Sequence, residues 1–314
     1  MHIAVTGSRG LVGSALVPHL SDAGHRVTRM VREPGTPGTI AWDTARGVED
    51  LAQLEGVDAV VHLAGEGLAA GRWSVDRKAE IRRSRVEGTE RLCESLAMVP
   101  RPPRVLVTAS AIGFYGDRGD EILSECSAPG SDYLAQLCRD WEQATAIASQ
   151  VGIRVVQLRF GVVLSPAGGA LQRMLLPFKL GVGGRLGPGT QFWSWIALND
   201  AVGAIHHALV TEDLEGPVNA VAPAPVTNAE FAHTLARVLR RPALAPMPAF
   251  VARLAFGEAA DALLLASQRV APLRLNASGY RFRHPDLENA LRALLRRERR
   301  AAVAAARTGS RVWR

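Results

Sequence analysis

The sequence predicts an α/β fold, a doubly wound parallel sheet with a smaller, mostly helical C-terminal substrate domain. Three observations carry that prediction. The chain opens on a short apolar strand, His2 to Val5, that runs into a glycine turn and then a helical apolar pattern through Leu20. Further apolar strands at 26–31, 39–42, 59–63, 105–108 and 154–158 alternate with helical stretches at the spacing of βαβ units. From residue 165 onward the texture changes to glycine-rich loop and helix.

The opening turn places glycines at positions 7, 10 and 13 between a strand and a helix, the context of a Rossmann-type dinucleotide site. Gly7 permits the sharp turn, Gly10 the close approach of a pyrophosphate, and Gly13 the packing of helix on strand. Ser8, Arg9, Leu11 and Val12 complete the turn, whose free N–H groups face the phosphates. An acidic residue that would bind a ribose 2′-hydroxyl is missing at the end of the second strand, where Val31 is followed by Arg32. A guanidinium there suits a 2′-phosphate, with Arg9 approaching it from the other side. The cofactor expected is therefore NADP(H), with NAD(H) the weaker fit. Asp43, closing the third strand, is an adenine-side candidate. Leu63, Ala64, Gly65 and Glu66, after the fourth strand, let backbone lie against the cofactor.

Composition narrows the class. With 47% hydrophobic and 21% charged residues over 314 positions, the chain reads as globular. No stretch approaches a membrane span, and a strand beginning at His2 leaves no room for a signal peptide. Cys93, Cys126 and Cys138 are odd in number and lack metal-ligand spacing, which fits a reduced cytoplasm and no metal. Of the net charge of +7, residues 296–314 hold +6, from seven arginines and one glutamate. The body is nearly neutral, so a nucleic-acid partner is not expected of it.

The remaining elements follow the same periodicities. Helices are expected over 74–98, with a basic face of Arg77, Lys78, Arg82, Arg83 and Arg85, and over 133–150, 201–210, 249–266 and 285–308. A short strand is expected at 217–221, and a helix over 228–239 with Asn228 as N-cap. Trp193 and Trp195 read as core. The domain reading is 1–164 plus about 195–222 for the Rossmann-type unit, 165–194 and 223–295 for the substrate domain, and 296–314 as a basic tail.

The segments VTGSRGLVG, HLAG, GRWSVDRKAEIRRSRVEGT, ASAIGFYGDRGDEILSE, CRDWEQA, LRFGVVLSPAGGAL and GVGGRLGPGTQFWSWI resemble one group across residues 1–294. It is the atypical, epimerase-like branch of the extended short-chain dehydrogenase/reductase superfamily, which carries a small C-terminal domain of unknown function. The resemblance implies NADP(H) above the glycine turn and a small-molecule substrate between the two domains. It also implies a hydroxyl and a tyrosine as catalytic groups, matched here by Ser110 and Tyr133, and dimers as a common assembly. Such enzymes pair the tyrosine with a lysine four residues on, whose charge stabilises the tyrosinate. Here that position is Leu137, and the chain's only lysines are Lys78 and Lys179. Tyr115 is an alternative proton carrier, and Lys78 or Arg85 an alternative cation. Glu66 and Glu142 are carboxylates within reach of proton work, Glu142 reading rather as a structural hydrogen-bonding group. Lys78, Arg173, Lys179 and Arg185 are the candidates for an anionic substrate. Two functions follow: an NADP(H)-dependent oxidoreductase or epimerase acting on a small carbonyl, alcohol or nucleotide sugar, or a non-catalytic NADP(H)-binding redox sensor. Nucleic-acid binding through the tail is a third, weaker reading.

Overall fold

The computed structural model describes residues 1–32, 37–69 and 71–296. Seven parallel strands form its main sheet: β1 (His2–Thr6), β2 (Arg26–Val31), β3 (Thr39–Ala41), β4 (Ala59–His62), β5 (Val105–Ala111), β6 (Arg154–Phe160) and β7 (Gly216–Ala220). Their spatial order is β7-β6-β5-β4-β1-β2-β3, so the chain reverses direction across the sheet between β1 and β4. That reversal opens a crevice at the carboxyl ends of the strands, where α/β proteins bind ligands.

Central strands of such a sheet are buried on both faces, which their composition permits. Ile3 and Val5 of β1 point to one layer and Ala4 to the other, and all three are fully buried. The first layer packs Leu16 and Leu20 of α1 (Leu11–Asp22) and Ile205 and Leu209 of a later helix, Leu198–Val210, against the sheet. The opposite layer packs Leu92 and Leu96 with Leu106, Val60 and Ile153.

The helix expected over 74–98 is interrupted. It consists of α2 (Val75–Arg82), a wide π-turn at Arg83–Glu87, and α3 (Gly88–Ala97). The extra residue in that turn rotates Ser84 and Arg85 inward, so the basic face is not uniform. The stretch 133–150 likewise divides into α4 (Tyr133–Gln143) and α5 (Ala146–Gln150), with the Thr145 hydroxyl donating to the Glu142 carbonyl at 2.7 Å between them.

A second core forms under the C-terminal half. Leu171, Leu175 and Phe178 of α6 (Gly169–Lys179) meet Trp193, Trp195, Phe231, Leu235, Leu291 and Leu294. Both tryptophans are core residues, as expected. Helix Leu198–Val210 is α7, and α8 spans Asn228–Leu239. The N-cap of α8 is Thr227 rather than Asn228. Thr227 and Glu230 form a capping box, the stronger two-bond arrangement. Asn228 instead turns inward and accepts a hydrogen bond from the Leu186 N–H at 2.6 Å. The stretch 249–266 is α9 (Ala249–Phe256), a break at Gly257, and a short helical segment to Leu265. Residues 287–296 are helical, and the rest of the helix expected to 308, with the tail, lies outside the described residues.

Several contacts fasten the C-terminal segment to the sheet domain. Arg269–Val270 pairs as a parallel strand with Ile122–Leu123. The buried Asp200 carboxylate accepts from the backbone N–H groups of Arg283 and His284 at 2.7 and 2.9 Å. The cysteines are free thiols. Among the described residues no helix is long and apolar enough to cross a membrane, and no group of three or more potential ligands could hold a metal ion.

His62, at the end of β4, is fully buried between the hydroxyls of Thr6, 2.8 Å from Nδ1, and Thr89, 3.1 Å from Nε2. Thr6 Oγ1 already accepts from the N–H groups of Leu63 and Ala64, so its own proton goes to the ring. Burial pushes the His62 pKa down to about 4. His19, His25 and His206 form a second, half-buried cluster whose pKa values burial also lowers. A histidine whose folded pKa lies below its unfolded one contributes stability above the unfolded pKa and loses it as pH falls. His62 alone then removes about 1.5 kcal/mol between pH 6.5 and pH 5. Chemical denaturation across that range should show this slope, and His62→Gln should flatten most of it.

Candidate functional site

The crevice holds a groove of about 420 Å³. Gly7, Ser8, Arg9, Gly10, Arg32, Leu63, Ala64, Gly65 and Glu66 all line it, together with Met30, Val31, Trp42, Thr44 and Ser84. Sterics explain two of the three glycines. Gly7 has φ +62°, and a Cβ there would lie 2.6 Å from the Leu63 carbonyl. A Cβ on Gly13 would overlap the Gly7 carbonyl oxygen. Gly10 meets only the Gly7 oxygen, at 3.2 Å, so its bare surface faces the groove rather than a neighbour. It is also the N-cap of α1, where no side chain caps the helix. Leu11 and Val12 lie behind the turn: Leu11 abuts Gly168 and Gly169, and Val12 packs on the core.

Arg9 and Arg32 make no ion pair among the described residues. Asp43 does not line the groove. Its carboxylate accepts from the N–H groups of Ala45 and Arg46 and pairs with the Arg46 guanidinium at 3.2 Å, which closes the turn after β3. Trp42 and Thr44, its neighbours on either side, take the groove positions.

A buried polar chain runs beneath the crevice. Ser110 on β5 and Arg159 on β6 are register partners, and both reach Glu142 on α4. Ser110 Oγ donates to Glu142 Oε1 at 2.7 Å, and Arg159 binds both carboxylate oxygens at 2.7 Å. Arg159 Nη1 also donates to the Tyr115 hydroxyl at 3.0 Å, which donates to Asn219 Oδ1 at 2.7 Å. Asn219 Nδ2 donates to the Ala271 carbonyl in the C-terminal segment. This arrangement corrects the reading of Tyr115 as a proton carrier at the cleft. It is fully buried, its hydroxyl is spent on Arg159 and Asn219, and burial raises its pKa. Glu142 is the structural hydrogen-bonding group expected, and Ser110 is tied to it.

Tyr133, at the start of α4, lines a second cavity of about 320 Å³ between the sheet domain and α9. Its hydroxyl donates to the Lys78 carbonyl at 3.0 Å, its ring meets Trp73 edge-on, and Lys78 Nζ lies 4.7 Å from the ring centroid. Lys78 is paired with Glu258 at 2.5 Å. Asp117, Asp132 and Asp261 share the lining with Glu258, against the single guanidinium of Arg253.

The arginines and lysine proposed for an anionic substrate are not gathered there. Arg173 donates to the Ala69 carbonyl at 2.6 Å and straps the loop after β4 to α6. Arg185 donates to the Pro188 carbonyl within its own loop. Both are exposed, as is Lys179 at the end of α6, and none lines either cavity.

Arg159 and Asn219 were missed by the sequence reading. An arginine inside the apolar strand VVQLRF was the available signal, since a buried charge requires a partner.

The model of the NAD dependent epimerase/dehydratase family matches residues 3–221. The chain belongs to that family. A domain of unknown function, DUF1731, matches residues 247–294. Among family relatives, the chain is 46% identical over 290 residues to the epimerase family protein Mb2239 of Mycobacterium bovis, covering 92% of this chain and 96% of that one. A crystal structure of the human epimerase family protein SDR39U1 (isoform 2) with NADPH is 38% identical, with a TM-score of 0.87 over 94% of this chain and 99% of that one. The nucleoside-diphosphate sugar epimerase from Corynebacterium glutamicum is 41% identical, with a TM-score of 0.76 over 93% of this chain and 57% of that one.

The Glu142–Arg159 pair is nearly inaccessible to solvent. Removing one partner of such a pair strands the other charge. Arg159→Met should cost about 3–5 kcal/mol in chemical denaturation. Ser110→Ala leaves Glu142 held by Arg159 and should cost about 1 kcal/mol.

Proposed function

We propose that this chain binds NADP(H) in the glycine-lined groove and carries out hydride exchange on a small carbonyl or alcohol held in the cavity at Tyr133. The observation that carries the reading is the pair Arg9 and Arg32. Both line the groove, and neither has an ion-pair partner among the described residues, which is the charge pattern for a 2′-phosphate. The human relative's complex with NADPH supports the same choice.

The residues present fit that cofactor. Gly7 and Gly13 keep the turn tight, Gly10 offers bare backbone, and the uncapped start of α1 supplies N–H groups for the pyrophosphate. A bound nicotinamide would supply or accept the hydride. Tyr133 is the proton donor within the cavity, and Ser110 and Glu142 hold the floor of the site. A nucleotide sugar is the poorer substrate, because Asp117, Asp132, Asp261 and Glu258 oppose a diphosphate more strongly than Arg253 attracts it.

The alternative is a redox sensor that binds NADP(H) without turnover. Leu137 in place of a lysine, and the Tyr133 hydroxyl bonded to a backbone carbonyl, favour it. Exchange of deuterium from labelled NADPH into a panel of carbonyls separates the two: exchange supports the enzyme, and binding without exchange supports the sensor.

Calorimetric titration with NADPH and NADH tests the cofactor assignment. NADPH should bind more tightly, and Arg32→Ala should weaken it about ten- to a hundred-fold while leaving NADH nearly unchanged. Equal loss for both cofactors would refute the 2′-phosphate role of Arg32.

A further inference from the structure

The π-turn Arg83–Glu87 buries two consecutive side chains, Ser84 and Arg85, and both close on one residue of the glycine-lined groove. Ser84 Oγ accepts from the Glu66 N–H at 3.1 Å and donates to the Ile81 carbonyl at 2.9 Å. Arg85 Nη2 donates to the Glu66 carbonyl at 2.8 Å. The backbone donor and the backbone acceptor of Glu66 are thus both held from the same helical turn. The other end of the loop is held from β1, where Thr6 Oγ1 accepts from the N–H groups of Leu63 and Ala64.

Arg85 also supports the loop by shape. A Cβ on Gly65 would lie 3.4, 3.5 and 3.6 Å from its Cζ, Nη2 and Nη1, so the guanidinium presents its flat face to that residue. The Trp141 ring centroid of α4 lies 5.2 Å from Cζ. The guanidinium therefore spans from α4 to the loop. Its hydrogen bond goes to a carbonyl rather than to a carboxylate, and its buried Nη1 has no partner among the described residues. A desolvated cation so placed is costly to keep, which argues for a purpose at this loop.

The sheet topology says which part of a ligand this loop meets. Arg32 follows β2 and the loop follows β4, on opposite sides of β1. Leu63, Ala64, Gly65, Glu66 and Ser84 all line the groove. A dinucleotide with its 2′-phosphate at Arg32 and its pyrophosphate at the turn after β1 meets the loop with the half beyond the pyrophosphate. We propose that Ser84 and Arg85 are positioning residues of the groove. They clamp the Glu66 backbone from both its N–H and its carbonyl, and so fix the wall against the nicotinamide half of NADP(H). The inference rests on the NADP(H) reading.

The test compares two ligands by calorimetric titration of the full chain. NADPH carries both halves, and adenosine 2′,5′-bisphosphate carries the 2′-phosphate without the nicotinamide half. Arg85→Met should weaken NADPH about tenfold, the effect of one hydrogen bond from a charged donor, and leave the bisphosphate within about twofold. Arg85→Lys keeps a donor for the Glu66 carbonyl and should recover most of the loss. Arg32→Ala, by contrast, should weaken both ligands. Should Arg85→Met fail to fold, Ser84→Ala removes the other arm of the clamp and should show the same split between ligands. A loss that falls equally on NADPH and the bisphosphate marks a general effect on the fold and overturns the proposal, as does an unchanged NADPH affinity. Wild-type protein that binds neither ligand overturns the cofactor reading and this proposal with it. Wild-type protein that binds both, with no split in the variants, overturns this proposal alone.

Discussion

The structure depends on one buried ion pair. Glu142 and Arg159 join α4 to the sheet at the point where the polar crevice begins, and each would be prohibitively costly alone. Because Arg159 is bidentate on the carboxylate, the pair fixes the rotation of α4 as well as its distance from β6. Tyr133, Leu137 and Trp141 inherit their placement from that rotation. Through Tyr115 and Asn219 the same network reaches Ala271, so the C-terminal segment is tied to the floor of the crevice rather than only packed against it. Ser110 completes the carboxylate's shell from the adjacent strand.

The other half of the site is held by shape. The Gly7 turn and the loop after β4 are in contact at backbone level, and Thr6 Oγ1 joins them by accepting from Leu63 and Ala64. His62 receives the remaining Thr6 proton, so a buried neutral imidazole belongs to the same assembly. The loop then continues under arginines: Arg85 on the Glu66 carbonyl, Arg77 on the Gly67 carbonyl and Arg173 on the Ala69 carbonyl. A planar guanidinium can span two elements and still bind a carbonyl directionally, which a lysine does less well. The substrate cations sought at Arg173 and Arg185 are thus occupied in holding loops.

The fold was legible because its signals are local. A strand, a glycine turn and an apolar helix in that order leave few alternatives, and the period of each later strand is short and strong. The capping-box pattern of Thr227 and Glu230 is equally local, and its two reciprocal bonds win over Asn228, a cap candidate by residue type alone. The site was less legible because its decisive facts are relational. Tyr115 and Tyr133 are both tyrosines after β5, and only the partners Asn219 and Arg159 reveal that Tyr115 is core. Asp43 looked available until its carboxylate was found on the turn it closes. Arg85 looked like one of five basic residues on a helix face, because a one-residue widening of a helical turn leaves no compositional trace.

That widening is what takes Arg85 off the exposed basic face and into the interior. A lysine four residues after the tyrosine places its charge through the geometry of a single helix, and any cation at that spot would serve the same electrostatic end. Leu137 fills the position with an apolar side chain that packs into the core around Ile112 and Leu134. Across the interface Arg85 lies buried, stacked on Trp141 and without a carboxylate partner among the described residues. An arginine stays charged in such a place where a lysine would tend to lose its proton. Its stacking on an aromatic face and on bare glycine backbone keeps the guanidinium fixed without neutralising it.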